Sequence, residues 1–288
     1  MAIDFSPSSD EALRQAAGRG AATHGKLAVC HIVPNELRSN LLFPQFSERE
    51  AVAVPAEVEK AGEAVLKRVA EVVGNAEAEI IADHGSPYAE ILKRAEAWKA
   101  DLIVIGSHGM TGADGILLGS VTAKVIRYAH SPVLVARKPS SRGHIVAGTD
   151  FSDPALPAIS AAVNEARRTN AQLTVVHSLD LYRTTPAAGA MELASLAVSE
   201  EICQDMEKYA REHIGEILNK FGLQDHALVT RGPAALALVS AASDLKAELL
   251  VVGTVGRTGL NRLLLGSVAE AVASNAPCSV LIVRAHGA

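Results

Sequence analysis

The sequence predicts an α/β fold made of two tandem domains, each a doubly wound, five-stranded parallel sheet covered by helices. Hydrophobic residues make up 49% of the 288 residues but aromatic residues only 3%. The core is therefore built mainly from Ala, Val, Leu and Ile, as is typical of helix-covered parallel sheets. Short apolar runs alternate with segments of helical periodicity, an order that builds βαβ units, and this order occurs twice.

An internal repeat indicates the two domains. Residues 106–121 return 147 residues later as residues 253–268, with four of their five glycines in register. Near the start of the chain the tripeptide DFS at residues 4–6 returns 146 residues later at residues 150–152. The two offsets differ by one residue, which implies a single insertion in the long connection between these segments. The repeat therefore spans nearly the whole chain.

A linker-like segment separates the repeats. Residues 137–143, RKPSSRG, have the composition of a linker, so we predict one domain over residues 1–139 and the other over residues 140–288. The runs that predict strands lie at 27–33, 79–83, 102–106 and 133–136 in the first repeat, and at 145–150, 173–177, 226–230, 249–253 and 280–283 in the second.

The first strand of the first repeat is truncated. Only residues 1–3 precede Asp4, whereas residues 144–149 precede Asp150 at the equivalent position. The first strand is central in a doubly wound sheet. We therefore expect either a less stable first domain or a chain that starts upstream of Met1.

Serine and proline mark where the first helix of each repeat begins. Ser6, before a proline, and Ser152, two residues before one, are typical N-cap residues. A further helix is predicted over residues 87–100, and its periodicity places Trp98 on the buried face.

Each repeat carries two glycines in a GxxG pattern, then nine residues, then Gly-Ser. The members are Gly106, Gly109, Gly119 and Ser120 in the first repeat and Gly253, Gly256, Gly266 and Ser267 in the second. The first glycine ends an apolar strand, and the Gly-Ser pair opens a helix whose free N–H groups and dipole favour an anion. Asp4 and Asp150 end the first strands and should line the same crevice. The spacing matches neither the Walker loop nor the dinucleotide-binding loop.

This pattern resembles the ATP-binding members of the universal stress protein family, which carry G-2x-G-9x-G-[ST] after the fourth of five strands. The resemblance covers both repeats and implies a fold of the adenine-nucleotide α-hydrolase-like, HUP type. It implies that the first-strand aspartate and the main chain after strand two contact adenosine, and that the glycine loop contacts the phosphates of ATP, as Mg-ATP, with AMP and ADP as alternatives. The residues so implied are Asp4, Val33, Gly106, Gly109, Gly119 and Ser120 in one site and Asp150, Gly253, Gly256, Gly266 and Ser267 in the other.

The two loops differ at one position that bears on phosphate binding. Arg257 stands where the first repeat has Met110. An arginine at this position either contacts a terminal phosphate or is a solvated loop residue. Both interpretations stay open, and Arg257 is included among the candidate ATP-binding residues. His108 is interpreted as a residue that caps a strand end.

Composition argues against several classes of partner. The formal net charge is −5 and the Lys and Arg residues are dispersed along the sequence, so the sequence predicts no basic patch for a nucleic-acid backbone. No apolar run approaches the roughly 20 residues that span a bilayer, and the three cysteines form no CxxC. We expect a cytoplasmic protein with no metal ligands. The resemblance to the universal stress protein family further implies that the repeats pair through their last strands, 133–136 and 280–283, within one chain. A homodimer is the open alternative.

Three functional hypotheses follow. The first is an ATP-binding protein with a regulatory or protective role in the stress response. The second is an enzyme that slowly hydrolyses ATP or transfers phosphate, although no base or pair of metal-binding carboxylates stands beside either loop, so no catalytic residue is assigned. The third is an interaction scaffold without bound nucleotide, against which the intact glycines and serines of both repeats argue.

Overall fold

The computed structural model divides the chain into two compact units, Met1–Lys138 and Pro139–Ala288. It describes residues 1–34, 47–74, 76–109, 118–141, 143–180, 199–223, 226–254 and 265–284, and of residues 47–54 the backbone only. Each described unit alternates strands and helices, as the sequence predicts.

In the first unit, a short N-terminal segment completes a parallel sheet. The elements are α1 (Pro7–Thr23), β1 (Ala28–Pro34), α2 (Ser47–Val73), β2 (Glu79–Gly85), α3 (Pro87–Ala97), β3 (Ile103–Gly106), α4 (Ser120–Tyr128) and β4 (Val133–Ala136). β1 pairs in parallel with β2, and β3 with β4. The Ala2 N–H donates to the Val104 carbonyl at 2.9 Å and the Ile3 N–H to the Cys30 carbonyl at 2.9 Å. Residues 1–3 therefore lie between β1 and β3.

The second unit has the same order with a complete first strand. Its elements are β5 (His144–Gly148), α5 (Leu156–Thr169), β6 (Gln172–Leu179), α6 (Glu200–Lys220), β7 (Ala227–Arg231), α7 (Ala234–Asp244), β8 (Leu249–Gly253), α8 (Ser267–Asn275) and β9 (Ser279–Val283). β5 pairs in parallel with β6 and β8, β7 with β6, and β9 with β8. The order β7-β6-β5-β8-β9 confirms the predicted doubly wound parallel sheet.

Aliphatic residues fill both cores, as the low aromatic content predicts. In the first unit one cluster joins the N-terminal segment, α1, β1 and α2 through Ile3, Leu13, Val29, Val65 and Val69. In the second unit the largest fully buried side chains are Ile145, Ile159, Ile214, Leu218, Leu250 and Ile282. Burial of a Leu, Ile or Val side chain contributes about 1.5–3 kcal/mol, so these clusters hold the helices on the sheets.

A space lies beside the first strand of the first unit. Residues 1–3 make one bridge, Ala2 to Cys30, whereas β5 forms a full ladder along β6. A cavity of about 50 Å³ lies beside Met1, lined among others by Ala28, Trp98 and Leu102. No backbone from the first strand fills this place in the described part of the unit.

Two predicted helix boundaries are wrong. The helix predicted over residues 87–100 ends at Ala97, because Lys99 adopts a left-handed conformation (φ 54°). Trp98 is partly exposed and donates from Nε1 to Glu79 Oε2 at 2.9 Å instead of lying in the core. Ser152 does not cap α5, which begins at Leu156 after a short 3-10 turn.

No helix in the described ranges is long and apolar enough to cross a membrane.

Candidate functional site

An aspartate follows the first strand of each unit and is held by the serine two residues later. Asp4 Oδ1 accepts hydrogen bonds from the Ser6 N–H at 3.1 Å and the Ser6 hydroxyl at 2.6 Å. Asp150 Oδ1 accepts the same pair from Ser152 at 3.0 and 2.6 Å. A carboxylate that accepts two hydrogen bonds from one residue is fixed in direction, so both aspartates are oriented by the same local device.

The residue between each aspartate and serine has a strained backbone. Phe5 has φ 65° and Phe151 has φ 63°, in the left-handed region that bulky residues rarely adopt. Such strain persists only where the surroundings impose it, and it clusters at functional sites. Sequence reasoning missed this feature, since the only signal was that the DFS tripeptide occurs in both repeats.

Ser6 has a second role that Ser152 lacks. The Ser6 hydroxyl accepts from the Ser9 N–H at 3.1 Å and so caps α1. Through Ser6, the start of α1 is tied to the carboxylate of Asp4. In the second unit the 3-10 turn Asp153–Ala155 stands at this place.

The glycine loop of the first unit lies against Asp4. A Cβ atom placed on Gly109 would be 2.6 Å from Asp4 Oδ2, closer than any side chain tolerates. Glycine at position 109 therefore lets the loop backbone lie directly beside the carboxylate. The structure thus brings together two predicted site residues that are 105 positions apart in the sequence.

Gly106 serves packing. A Cβ there would be 2.7 Å from Ser8 Oγ and 2.9 Å from the Ser8 carbonyl carbon. The close approach that requires this glycine is thus to the first turn of α1 and not to a ligand, which corrects the reason that the sequence suggested. Gly253 ends β8 at the equivalent position.

A backbone hydrogen bond closes each glycine loop at its base. The Gly119 N–H donates to the Ser107 carbonyl at 2.8 Å, and the Gly266 N–H donates to the Thr254 carbonyl at 2.8 Å. These bonds fix the start of the following helix beside the end of the preceding strand. Gly256 and Arg257 lie outside the described residues.

The helix that follows the loop presents its N-terminus at the same edge of the sheet. Gly119 is the N-cap of α4 and Gly266 the N-cap of α8. The first intrahelical bonds run from the Ala123 N–H to Gly119 and from the Glu270 N–H to Gly266. The N–H groups of the first turn have no helix carbonyl before them and carry the positive end of the dipole. Ser120 and Ser267, the first residues of these helices, are exposed.

The positions of Val33 and His108 in the fold limit the contacts that each could make with a ligand. Val33 lies inside β1, one residue before its end, opposite His84 of β2, and is partly exposed. It therefore offers main-chain groups at the sheet edge. His108 Nδ1 is 2.9 Å from the Ser107 hydroxyl, so the ring is attached to its neighbour at the loop start.

The geometry combines two kinds of group. The aspartate accepts hydrogen bonds from hydroxyl or amino groups, and the glycine loop with its helix N-terminus attracts an anion. A ligand that carries a polar uncharged part at one end and phosphate at the other matches this arrangement. Each unit repeats the aspartate and the helix N-terminus.

Comparison with known proteins gives consistent results. Residues 1–137 and 141–284 each match the model of the Universal stress protein family. A universal stress protein of Methanocaldococcus jannaschii is 37% identical over 142 residues, which are 49% of this chain and 81% of that protein. One of Mycolicibacterium smegmatis is 27% identical over 99% of this chain and 96% of its own length.

Solved structures agree on the fold. A universal stress protein from Archaeoglobus fulgidus superposes with a TM-score of 0.63 at 19% identity, covering 99% of this chain and 97% of that one. Universal stress proteins in complex with cAMP and with dAMP match 51% and 49% of this chain at TM-scores of 0.36 and 0.35, too low for a conclusion about this chain.

Proposed function

Because the chain belongs to the universal stress protein family, we propose that it binds an adenine nucleotide in each repeat, with ATP, as Mg-ATP, the preferred ligand over AMP and ADP. One observation carries this proposal. Gly109 lies so close to Asp4 that a single Cβ atom would collide with Oδ2 at 2.6 Å. The oriented carboxylate and the phosphate-type loop therefore belong to one crevice.

Each predicted residue has a proposed part in binding. Asp4 and Asp150 accept hydrogen bonds from the ribose hydroxyls, because their carboxylates are already oriented by the following serines. The N–H groups at the starts of α4 and α8 bind the phosphates, with the Ser120 and Ser267 hydroxyls as further donors. Val33 offers its main chain to the base. Gly256 takes the part of Gly109 in the second loop, and Arg257, which has no counterpart in the first loop, is proposed to contact a terminal phosphate.

Nucleotide binding supports a regulatory or protective role in the stress response. Binding at a crevice between the strand ends and surface loops can change what those loops contact. A cytoplasmic location fits this role and stays a prediction. Slow ATP hydrolysis and a scaffold role without nucleotide are the alternatives that the experiment below separates.

Calorimetric titration of the purified protein with Mg-ATP tests the proposal. We expect about two nucleotides per chain, and about one for Gly109→Ala, since the added Cβ displaces Asp4 from its position. Gly18→Ala is the matched control, because a Cβ at Gly18, in the middle of α1, has nothing within 4 Å. Two nucleotides should still bind to this variant.

The same samples separate the alternatives. No heat of binding for the wild type, with no nucleotide released on denaturation, would support the scaffold. If ADP accumulates in the titrated sample in an amount that increases with the protein concentration, the result would support slow ATP hydrolysis. Two nucleotides bound to Gly109→Ala would contradict the site assignment.

Pairing of the two repeats through their last strands stays a prediction. The chain has a mass of 30.0 kDa, so sedimentation at this mass is expected if the pairing is made within one chain. A species of twice this mass would indicate the homodimer.

A further inference from the structure

A histidine in β1 contacts both neighbours of Asp4. His31 Nδ1 is 2.8 Å from the carbonyl oxygen of Ile3, the residue before the aspartate. Its ring lies against Phe5, the residue after the aspartate, with ring centroids 4.8 Å apart. His31 therefore touches the backbone on one side of Asp4 and the side chain on the other.

The second unit repeats this arrangement. His177 Nδ1 is 2.9 Å from the Thr149 carbonyl oxygen, and its ring centroid is 4.2 Å from that of Phe151. His177 is only 8% exposed. The two repeats, whose surroundings differ, thus keep the same two contacts, so the arrangement is not an accident of local packing.

The chemistry of these contacts fixes the turn. A carbonyl oxygen can only accept, so the imidazole Nδ1 carries the proton and donates it. The hydrogen bond holds the end of the first strand, and the ring contact holds the phenylalanine whose left-handed backbone costs free energy. The turn between these two points carries the aspartate.

We propose that His31 and His177 are positioning residues of the two binding sites. Each histidine holds the strained turn in the one conformation in which the aspartate Oδ1 accepts from the following serine. In the first site this conformation leaves Asp4 Oδ2 directed toward Gly109. We call the two contacts of each histidine the histidine clamp: His31 with Ile3 and Phe5, and His177 with Thr149 and Phe151.

The part of this inference that concerns ligand affinity rests on the proposed function, whereas the part that concerns the turn does not. Two readouts therefore test it. The first needs no ligand and follows the Ser6 and Ser152 amide protons, which the aspartates hold at 3.1 and 3.0 Å, by hydrogen exchange with NMR detection. The second is the affinity for Mg-ATP by calorimetry.

Substitutions at both histidines separate the hydrogen bond from the bulk of the ring. Asn places its side-chain N–H close to the position of Nδ1, whereas Gln places it near Nε2. We expect the paired variant His31→Gln, His177→Gln to exchange these amide protons about tenfold faster and to bind Mg-ATP about tenfold more weakly. His31→Asn, His177→Asn should remain within about threefold of the wild type in both readouts.

A matched control removes the effect of general destabilisation. Val133 and Val280 are buried near the N-terminal ends of β4 and β9, at the opposite end of the strands from the turns that carry the aspartates. The paired variant Val133→Ala, Val280→Ala should lower the unfolding midpoint without changing exchange at Ser6 and Ser152 or the ATP affinity.

The outcomes are distinct. Unchanged amide exchange in the Gln pair, or equal losses in the Gln and Asn pairs, would overturn the clamp. If the wild type binds no nucleotide, the proposed function fails, and the exchange of the two amides still decides the clamp. Faster exchange in the Gln pair with restored protection in the Asn pair supports it.

Discussion

At the scale of single residues, the glycines of one motif are required for different physical reasons. Gly106 gives room to the backbone of Ser8, and Gly109 gives room to the carboxylate of Asp4. The first contact is between packed backbone segments and supports the fold. The second is between a loop and the carboxylate that we propose as a ligand-binding group, so it supports the proposed site. A glycine pattern alone does not distinguish these reasons, because both require the same missing Cβ.

A charged residue outside the site gives a pH-dependent contribution to stability. Asp83 in β2 accepts hydrogen bonds from Arg94 Nε at 2.8 Å and from Arg94 Nη2, in α3. Burial by itself would raise the pKa of Asp83, but the hydrogen bonds from Arg94 and the His84 N–H hold this pKa below its usual value of 3.8. A lowered pKa in the folded state means that the ionised form stabilises the fold.

We therefore expect Asp83→Asn to lower the free energy of unfolding by about 1 kcal/mol at pH 7. The contribution is complete above the unfolded-state pKa near 4 and is lost as the pH falls through the folded-state pKa. Urea unfolding at pH 7 and pH 3 measures this, and the difference from the wild type should be smaller at pH 3 than at pH 7. Asp101→Asn, at an exposed carboxylate, should have little effect at either pH, and a difference for Asp83→Asn that is undiminished at pH 3 would contradict the assignment.

At the scale of secondary-structure elements, the first strands of the two units differ in length. β5 pairs with β6 from His144 to Gly148 and with β8 over three residues. The matching segment of the first unit, residues 1–3, bridges β1 only at Ala2, and a cavity of about 50 Å³ lies beside Met1. A central strand normally pairs along its whole length on both sides, so this unit lacks part of its sheet ladder.

Placing the tripeptide His-Ile-Val, copied from residues 144–146, ahead of Met1 should complete the ladder. Each added backbone hydrogen bond contributes about 0.5–1.5 kcal/mol, so we expect a gain of about 2 kcal/mol in the stability of the first unit. Thermal unfolding followed by circular dichroism measures the gain. The control is a polar extension, Ser-Gly-Ser, and equal melting temperatures for the two extended chains would show that the space does not accept a strand.

The sequence predicted the strands well, because apolar runs are local signals, whereas the role of the glycine loops stays a prediction. The parallel order, the aliphatic core and the helix starts at Ser120 and Ser267 all follow from such signals. The clamp by His31, the left-handed Phe5 and the Gly106–Ser8 contact did not follow, because each depends on segments that meet only in the folded sheet. Whether the predicted site residues bind ATP stays a prediction.

At the scale of the whole molecule, each of the two repeats carries its own set of the same proposed site-forming parts. Each unit has its own core, its own oriented aspartate and its own helix N-terminus beside the strand ends. Two differences between the described parts bear on the site: the length of the first strand, and the capping of the first helix by Ser6 but not by Ser152. Unequal stability of the units and separate occupation of the two sites are therefore expected.

Scanning calorimetry of the full chain, with and without Mg-ATP, tests this expectation. A ligand that binds only the folded state at about 100 times its Kd adds about 2.7 kcal/mol of stability, which raises the melting temperature of a domain of this size by roughly 5–10 °C. We expect two unfolding transitions, both raised by Mg-ATP in the wild type. In Gly109→Ala only the transition of the second unit should move, because that unit keeps an intact site, and Gly18→Ala should behave like the wild type. Movement of both transitions in Gly109→Ala would contradict separate sites, since the ligand would then stabilise a unit whose crevice the added Cβ obstructs.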